Sequence, residues 1–477
     1  MAKCSCVDLS KEGPMNERFR QLLFVLAGAL LAAAFALLFS VPVAAQTSPR
    51  KPAAHSAAAP RPLHIELDAV PTLSFPPTTS YCLTNFGYHC YQPSQFEKAY
   101  NLGPLHAAGI DGRGRTIVIV DAFGSPTIGH DLQVFDQTFG LPDPPSLTII
   151  QPAGPVPAFD PTNSDMVGWA VETTLDVEWA HTMAPGAAIV LVETPVSETE
   201  GVQGFPEIVM AENYVIDHDL GDVISQSFGA TEETFPDASS ILGLRSAFEN
   251  AREHHVTVLA ASGDLGATDF ELNLSDIYPM RVNSWPSSDP LVTSVGGSQL
   301  TLDDSGKRLA PDVVWNDFAG AGGGGVSAVF ERPEFQDEVR DVVSGARGTP
   351  DISMSASCDG AVVFYYSFLP TRMGYHLVCG TSEATPLFAG IVAMADQLAG
   401  RRLGHLASAL YELHGEHHAG VIDITQGNNS LGPFTNSDGN TYTVQGYAAG
   451  PGYDLASGLG TFNAAKLVRA LAERARD

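Results

Sequence analysis

An α/β fold with a mostly parallel central sheet, flanked by helices in a single large domain, is predicted by two features of this 477-residue chain. Short apolar runs, TIVIVDAFG (116–124), AAIVLVET (187–194), DVISQSFG (222–229), VTVLAASGD (256–264) and LVTSVGG (291–297), read as strands buried on both faces. Amphipathic segments around 166–183, 204–219, 237–254 and 386–399 alternate with them, and that alternation gives parallel strands joined by helical crossovers. With 44% hydrophobic residues the chain can bury a core of the required size.

The ends of the chain read differently. Arg18 and Arg20 precede an uncharged apolar stretch, Leu22 to Ala45, that closes on Val43-Ala44-Ala45, the order of a secretory signal. Residues 1–45 are therefore expected to be a signal peptide, with an uncleaved membrane anchor as the alternative because the stretch is long enough to span a bilayer. Met15 begins the more typical signal. Residues 46–80, rich in Pro, Ala, Ser and Thr, read as a flexible leader, and 81–477 as the folded domain. Four cysteines follow the signal; in an exported chain they pair most simply as Cys82–Cys90 and Cys358–Cys379, one of three pairings open to them.

The charge balance excludes one class of partner. Asp and Glu number 54 against 25 Lys and Arg, a net charge of −29 that repels nucleic-acid phosphates and suits an acidic medium. Two glycine-rich stretches are not nucleotide loops: GIDGRG precedes a strand where a dinucleotide loop follows one, and the run from Gly320 to Gly325 lacks the Lys-Ser/Thr of a phosphate loop.

Three short stretches carry chemistry. VCGTSEATPLFAG places Ser382 before an apolar run, at a helix start where unpaired N–H groups favour developing negative charge, yet a serine needs a base to become a nucleophile. None of the fourteen histidines has a His-Gly-Thr setting, and His414–His418 reads as a solvated loop. In WAVETTLDVEWAH, Glu172 and Asp176 are four residues apart on one helix face; paired carboxylates raise one another's pKa and share a proton, which makes a base that works where histidine is already protonated. Glu178 falls about 120° away and His181 on the opposite face. In ASGDLGA, Asp264 ends a buried strand, and a protonated aspartic acid there can donate to an oxyanion.

In the order Glu-xxx-Asp, SGDxG and GTSxxxP, these stretches resemble the sedolisin family of serine-carboxyl peptidases, acid-active relatives of subtilisin, and the likeness extends through VISQSFG, VTSVGG, GGGVS and YDLASGLGTFN. The resemblance implies a subtilisin-like fold, Ser382 as nucleophile, Glu172 as general base and acid, Asp176 as its hydrogen-bonded carboxylate, and Asp264 as oxyanion donor. It also implies one Ca2+ ion within about 420–460, held by Asp423, the Ile424 carbonyl, the Gly450 and Gly452 carbonyls and Asp454, an all-oxygen set suited to calcium. Ser225, Ser227, Phe228 and Gly229 would line the substrate cleft, their strand pairing with an extended peptide.

The expected protein is thus a secreted, monomeric, acid-active serine-type endopeptidase on polypeptide substrates, with membrane contact only through an uncleaved signal. The family's large N-terminal prodomain has no counterpart in the short stretch between signal and Tyr81, so self-activation by that route is not expected. The alternatives are a catalytically silent member that binds peptides or an envelope partner, and a neutral subtilisin using Asp121 with an unidentified histidine.

Overall fold

The computed structural model describes residues 64–67, 71–414, 416 and 418–475. The signal and most of the leader lie outside them, as do Cys4 and Cys6; no helix among the described residues is long and apolar enough to cross a membrane.

All the apolar runs form strands of one eight-stranded sheet. Its order is Val313–Val314, Thr293–Gln299, Thr257–Ala261, Val223–Gln226, Thr116–Ala122, Ala188–Thr194, Leu147–Ile150, with Ile352–Ser355 pairing parallel to Thr293–Gln299. Pairing is parallel throughout except at the short Val313–Val314 edge. A second, four-stranded sheet joins Ile65–Glu66, Gly374–Cys379, Ala361–Tyr366 and Cys90–Tyr91. Disulfides link Cys82 to Cys90 and Cys358 to Cys379, the simplest of the three pairings.

Two helices carry Glu172, Asp176 and Ser382. The first, Ser164–Met183, is capped by the Asn163 side chain, which accepts from the Asp165 and Met166 amides. From Trp169 to Met183 every residue is buried, because apolar residues on all its sides meet both sheets. The second, Thr381–Ala399, starts after Gly380, whose φ of 131° a side chain would strain, and ends on left-handed Gly400. These helices cross at Gly390, where a Cβ would lie 2.5 Å from the Met183 Cβ.

Two expectations change. The segment 237–254 is two helices, Ala238–Leu242 and Ser246–Glu253, because the chain turns at Gly243, whose amide bonds back to Ser239. The leader is not a free linker over its described part: Ile65–Glu66 is a strand, and Leu73 exchanges backbone hydrogen bonds with Tyr375. The apolar Ile65, Leu67 and Leu73 have a sheet edge to cover, which composition does not reveal.

Gly390→Ala should prise the two helices apart and cost about 1–3 kcal/mol, as overpacking does. Denaturant unfolding checks this, with activity expected to fall alongside, since Glu172 and Asp176 sit on one helix and Ser382 on the other.

Candidate active site

The long helix presents Glu172 and Asp176 toward the start of the Thr381–Ala399 helix, and Ser382 is the second residue of that helix. All three side chains are fully buried. One loop residue ties them together. The Ser227 hydroxyl donates to Asp176 Oδ1 at 3.0 Å, and the Ser227 carbonyl accepts from Ser382 Oγ at 3.2 Å. The Glu172 carboxyl lies beside Asp176 and Ser382, and each lowers its pKa.

Burial pushes both carboxyls well above their ordinary values, and their mutual hydrogen bond lowers Glu172 while raising Asp176. A shared proton on the Asp176 side is the consequence, leaving Glu172 as the acceptor. Asp121, at the carboxyl end of the Thr116–Ala122 strand, adds negative charge that raises both further; it is itself pushed up to about 7, chiefly by burial.

Asp264 comes to the same place from the end of the Thr257–Ala261 strand. Its Oδ1 accepts from both the amide and the hydroxyl of Thr381, each at 2.8 Å, while Oδ2 has no hydrogen-bond partner. Burial pushes its carboxyl up to about 7, so in acid the unpartnered oxygen carries a proton it can donate. The glycine run 320–325 holds this turn. The Gly323 amide donates to Gly263 O and the Ala321 amide to Asp264 O, and a Cβ on Gly323 would lie 2.0 Å from Ser262 O. The run is glycine-rich because two backbones touch.

The four residues the motifs singled out as catalytic, Ser382, Glu172, Asp176 and Asp264, are therefore brought together. Glu178 and His181 point elsewhere: Glu178 Oε2 accepts from the Tyr365 amide, and His181 Nε2 meets the Pro142 carbonyl at 2.7 Å. The cleft residues divide. Ser225 and Phe228 are core, and Val223–Gln226 is flanked on both edges by other strands, so it offers no edge to a peptide. Ser227 joins the carboxylate pair to Ser382, and Gly229 is partly exposed. Sequence reasoning missed Thr381 as the anchor of Asp264, although GTS contains it. It also missed His64, whose Nδ1 lies 2.5 Å from Glu172 Oε2; nothing in a Pro/Ala-rich leader marks it.

The second region also assembles. Asp423 Oδ2 accepts from the Gly452 amide at 2.8 Å and Asp454 Oδ2 from the Gly450 amide at 3.0 Å, so the two loops meet. The Ile424 carbonyl faces the Ser457 hydroxyl at 3.5 Å. Among the described residues neither carboxylate is in an ion pair, and burial raises the Asp454 carboxyl. No cluster of three or more His, Cys, Asp or Glu side chains forms a metal site among the described residues.

Residues 164–410 match the family model of the subtilase family, more than half of the chain. The chain belongs to the subtilase family. Within it the chain is a sedolisin-type member. It is 32% identical over 393 residues to kumamolisin of Bacillus sp. (strain MN-32), covering 80% of this chain and 63% of that one. It is 30% identical over 320 residues to human (Homo sapiens) tripeptidyl-peptidase 1, covering 63% and 52%. Pseudomonas sedolisin, a serine-carboxyl proteinase solved with two molecules of pseudo-iodotyrostatin, superposes with a TM-score of 0.67 at 25% identity, covering 81% of this chain and 99% of that one. The chain spans under two thirds of the length of these curated relatives.

Because the native state holds these carboxyls protonated, their stabilising contribution is complete below pH about 4 and is lost as pH rises through their folded values, near 7 for Asp121 and Asp264 and near 8 for Asp136 and Asp396. The melting temperature should therefore fall by several degrees between pH 4 and pH 8. Calorimetry across that range checks it.

Proposed function

We propose that this chain is an acid-active serine-carboxyl endopeptidase. The observation that carries the reading is Asp264: a buried carboxyl clamped through one oxygen to the residue before the nucleophile, its other oxygen unpartnered. Above about pH 7 that group is an anion facing a developing anion. In acid it is a donor.

Ser382 Oγ attacks the scissile carbonyl carbon while its proton passes to Glu172, and Asp264 donates a hydrogen bond to the oxygen that becomes negative. Glu172 returns the proton to the amine as the C–N bond breaks, leaving an acyl-serine. Water then attacks the ester, Glu172 again takes and returns a proton, and Ser382 is released. Asp176 keeps its proton throughout and holds Glu172 in position, itself held by Ser227.

The remaining expectations follow the same reading. The apolar N-terminal stretch supports export, and polypeptides are the substrate class. Asp423, Asp454 and the Ile424, Gly450 and Gly452 carbonyls would hold one Ca2+ ion. A buried Asp454 without an ion-pair partner among the described residues suits it, and the ion would supply charge compensation that fixes the two loops.

Hydrolysis of a denatured protein from pH 2 to 8 tests the reading. Cleavage should be confined to acid. Ser382→Ala should lower kcat by about 10³-fold or more, Glu172→Gln by about 10²–10⁴-fold and Asp264→Ala by about 10²–10³-fold. Product lengths separate internal cleavage from release of tripeptides. No cleavage by a folded wild-type chain at any pH would overturn the reading. Excess chelator should lower the melting temperature, and an unchanged value would remove calcium from it.

A further inference from the structure

Asp264 is held twice, from two separate parts of the chain. Its carbonyl accepts from the Ala321 amide at 3.0 Å, in the glycine run, and its Oδ1 accepts from the Thr381 amide and hydroxyl, at the start of the Ser382 helix. An aspartate with both backbone and carboxyl fastened keeps little rotamer freedom. The direction of its unpartnered Oδ2 is therefore set by how the two anchors stand to each other.

A turn at 356–359 and one carboxylate join those anchors. The Ala356 carbonyl accepts from the Gly380 amide at 2.9 Å, and the Cys358–Cys379 disulfide ties the same turn to the residue before Gly380. On its other side the turn reaches Asp317, whose Oδ2 accepts from the Ser357 hydroxyl at 2.8 Å and the Asp359 amide at 3.0 Å. Asp317 Oδ1 accepts from the Ala319 amide at 2.8 Å, and the Asp317 amide donates to the Gly320 carbonyl at 3.0 Å. These bonds fold 317–320 into the tight turn that delivers Ala321 to Asp264. Gly320 admits no side chain there, since a Cβ would lie 2.7 Å from the Asp264 carbonyl oxygen. The 356–359 turn is pinned from behind as well. Its Ala356 amide donates to the Ser298 carbonyl at 3.0 Å, while the Asp359 carboxylate accepts from the His89 amide at 2.8 Å and from Gln299 Nε2 at 3.1 Å.

The bonds close a ring that runs from Asp264 through Thr381, Gly380, the 356–359 turn, Asp317 and the glycine run back to Asp264. We infer that Asp317 is a positioning residue for Asp264: by fastening the disulfide turn to the glycine run, it holds the backbone and side-chain anchors of Asp264 in one geometry and keeps Oδ2 aimed at the scissile carbonyl oxygen. The inference rests on the peptidase reading for what Oδ2 does, while the ring itself is independent of chemistry. An oxyanion donor matters most when the oxygen gains charge, so a misaimed Oδ2 weakens the transition state more than substrate binding. The loss falls on kcat and spares KM.

Two measurements on the full chain separate the ring from the peptidase reading. First, with a quenched fluorescent peptide substrate in acid, Asp317→Ala should lower kcat by about tenfold or more with KM within about twofold. In an Asp264→Ala background the same substitution should lower kcat no further, because an absent donor cannot be misaimed. Equal losses in both backgrounds overturn the inference, and so does an unchanged kcat. Asp317→Asn, which keeps one acceptor oxygen, should recover part of the loss. Should Asp317→Ala fail to fold, Ser357→Ala removes a single bond of the ring and should show the same dependence on Asp264. Second, amide exchange read by mass spectrometry needs no activity. In Asp317→Ala, peptides spanning 262–266 and 319–323 should exchange about tenfold faster or more, while the strands Thr116–Ala122 and Ala188–Thr194 keep their wild-type rates. Acceleration spread evenly over the sheet is a general loss of stability and overturns the inference. Local acceleration in a chain whose wild type hydrolyses nothing at any pH would sustain the ring and sink the peptidase reading. Hydrolysis by the wild type with additive losses would do the reverse.

Discussion

Carboxyl groups buried away from water are the constraint on which the rest of this structure depends. Glu172, Asp176, Asp121 and Asp264 come from a helix and two strand ends into one water-poor region. Ionising them together would set several like charges in a medium that screens them poorly. The fold holds the cluster most stably when its members carry protons, so its stability is greatest in acid. A carboxyl kept neutral becomes a donor, as Asp264 is placed to be. A carboxyl sharing a neighbour's proton becomes a base that still accepts protons in acid, as Glu172 is placed to be.

Fixing these groups falls to the backbone more than to other side chains. The Thr381 amide and hydroxyl hold Asp264, and the Ser227 loop joins Asp176 to Ser382. The glycine run holds the turn that carries Asp264 by direct backbone contact. Each of these approaches depends on an absent or small side chain, and Gly390 plays the same part where the two helices cross. The disulfide from Cys358 to Cys379 closes the hairpin immediately before Ser382, so the strand that receives the leader and the helix that carries Ser382 are continuous in sequence and fixed together.

The leader adds a strand to the second sheet. The central strand ending in Ser225–Gln226 has both edges filled, so an extended segment is received instead at the hairpin edge of the second sheet. The leader's backbone pairs there, and its Glu66 meets Arg372, His376 and Tyr366. These residues lie between Cys358 and Cys379, and the hairpin register that sets Tyr366 opposite Gly374 brings them together.

By itself the sequence determined the fold class and marked four residues that the fold brings together. Apolar runs of strand length alternating with helices dictate a parallel sheet, whatever its order. Glu172 and Asp176 face one way because a helix repeats every 3.6 residues, a local rule needing no tertiary information. Ser382, Glu172, Asp176 and Asp264 were legible for that reason and because their short motifs occur in one order along the chain. Tertiary structure decided what local rules cannot reach: that Thr381 clamps Asp264, that Ser225 and Phe228 are buried in the core, and that a Pro/Ala-rich leader carries the histidine that meets Glu172. The Thr381–Asp264 and His64–Glu172 contacts join residues more than a hundred positions apart, and sequence spacing is silent there because distance along the chain says nothing of distance across a folded core.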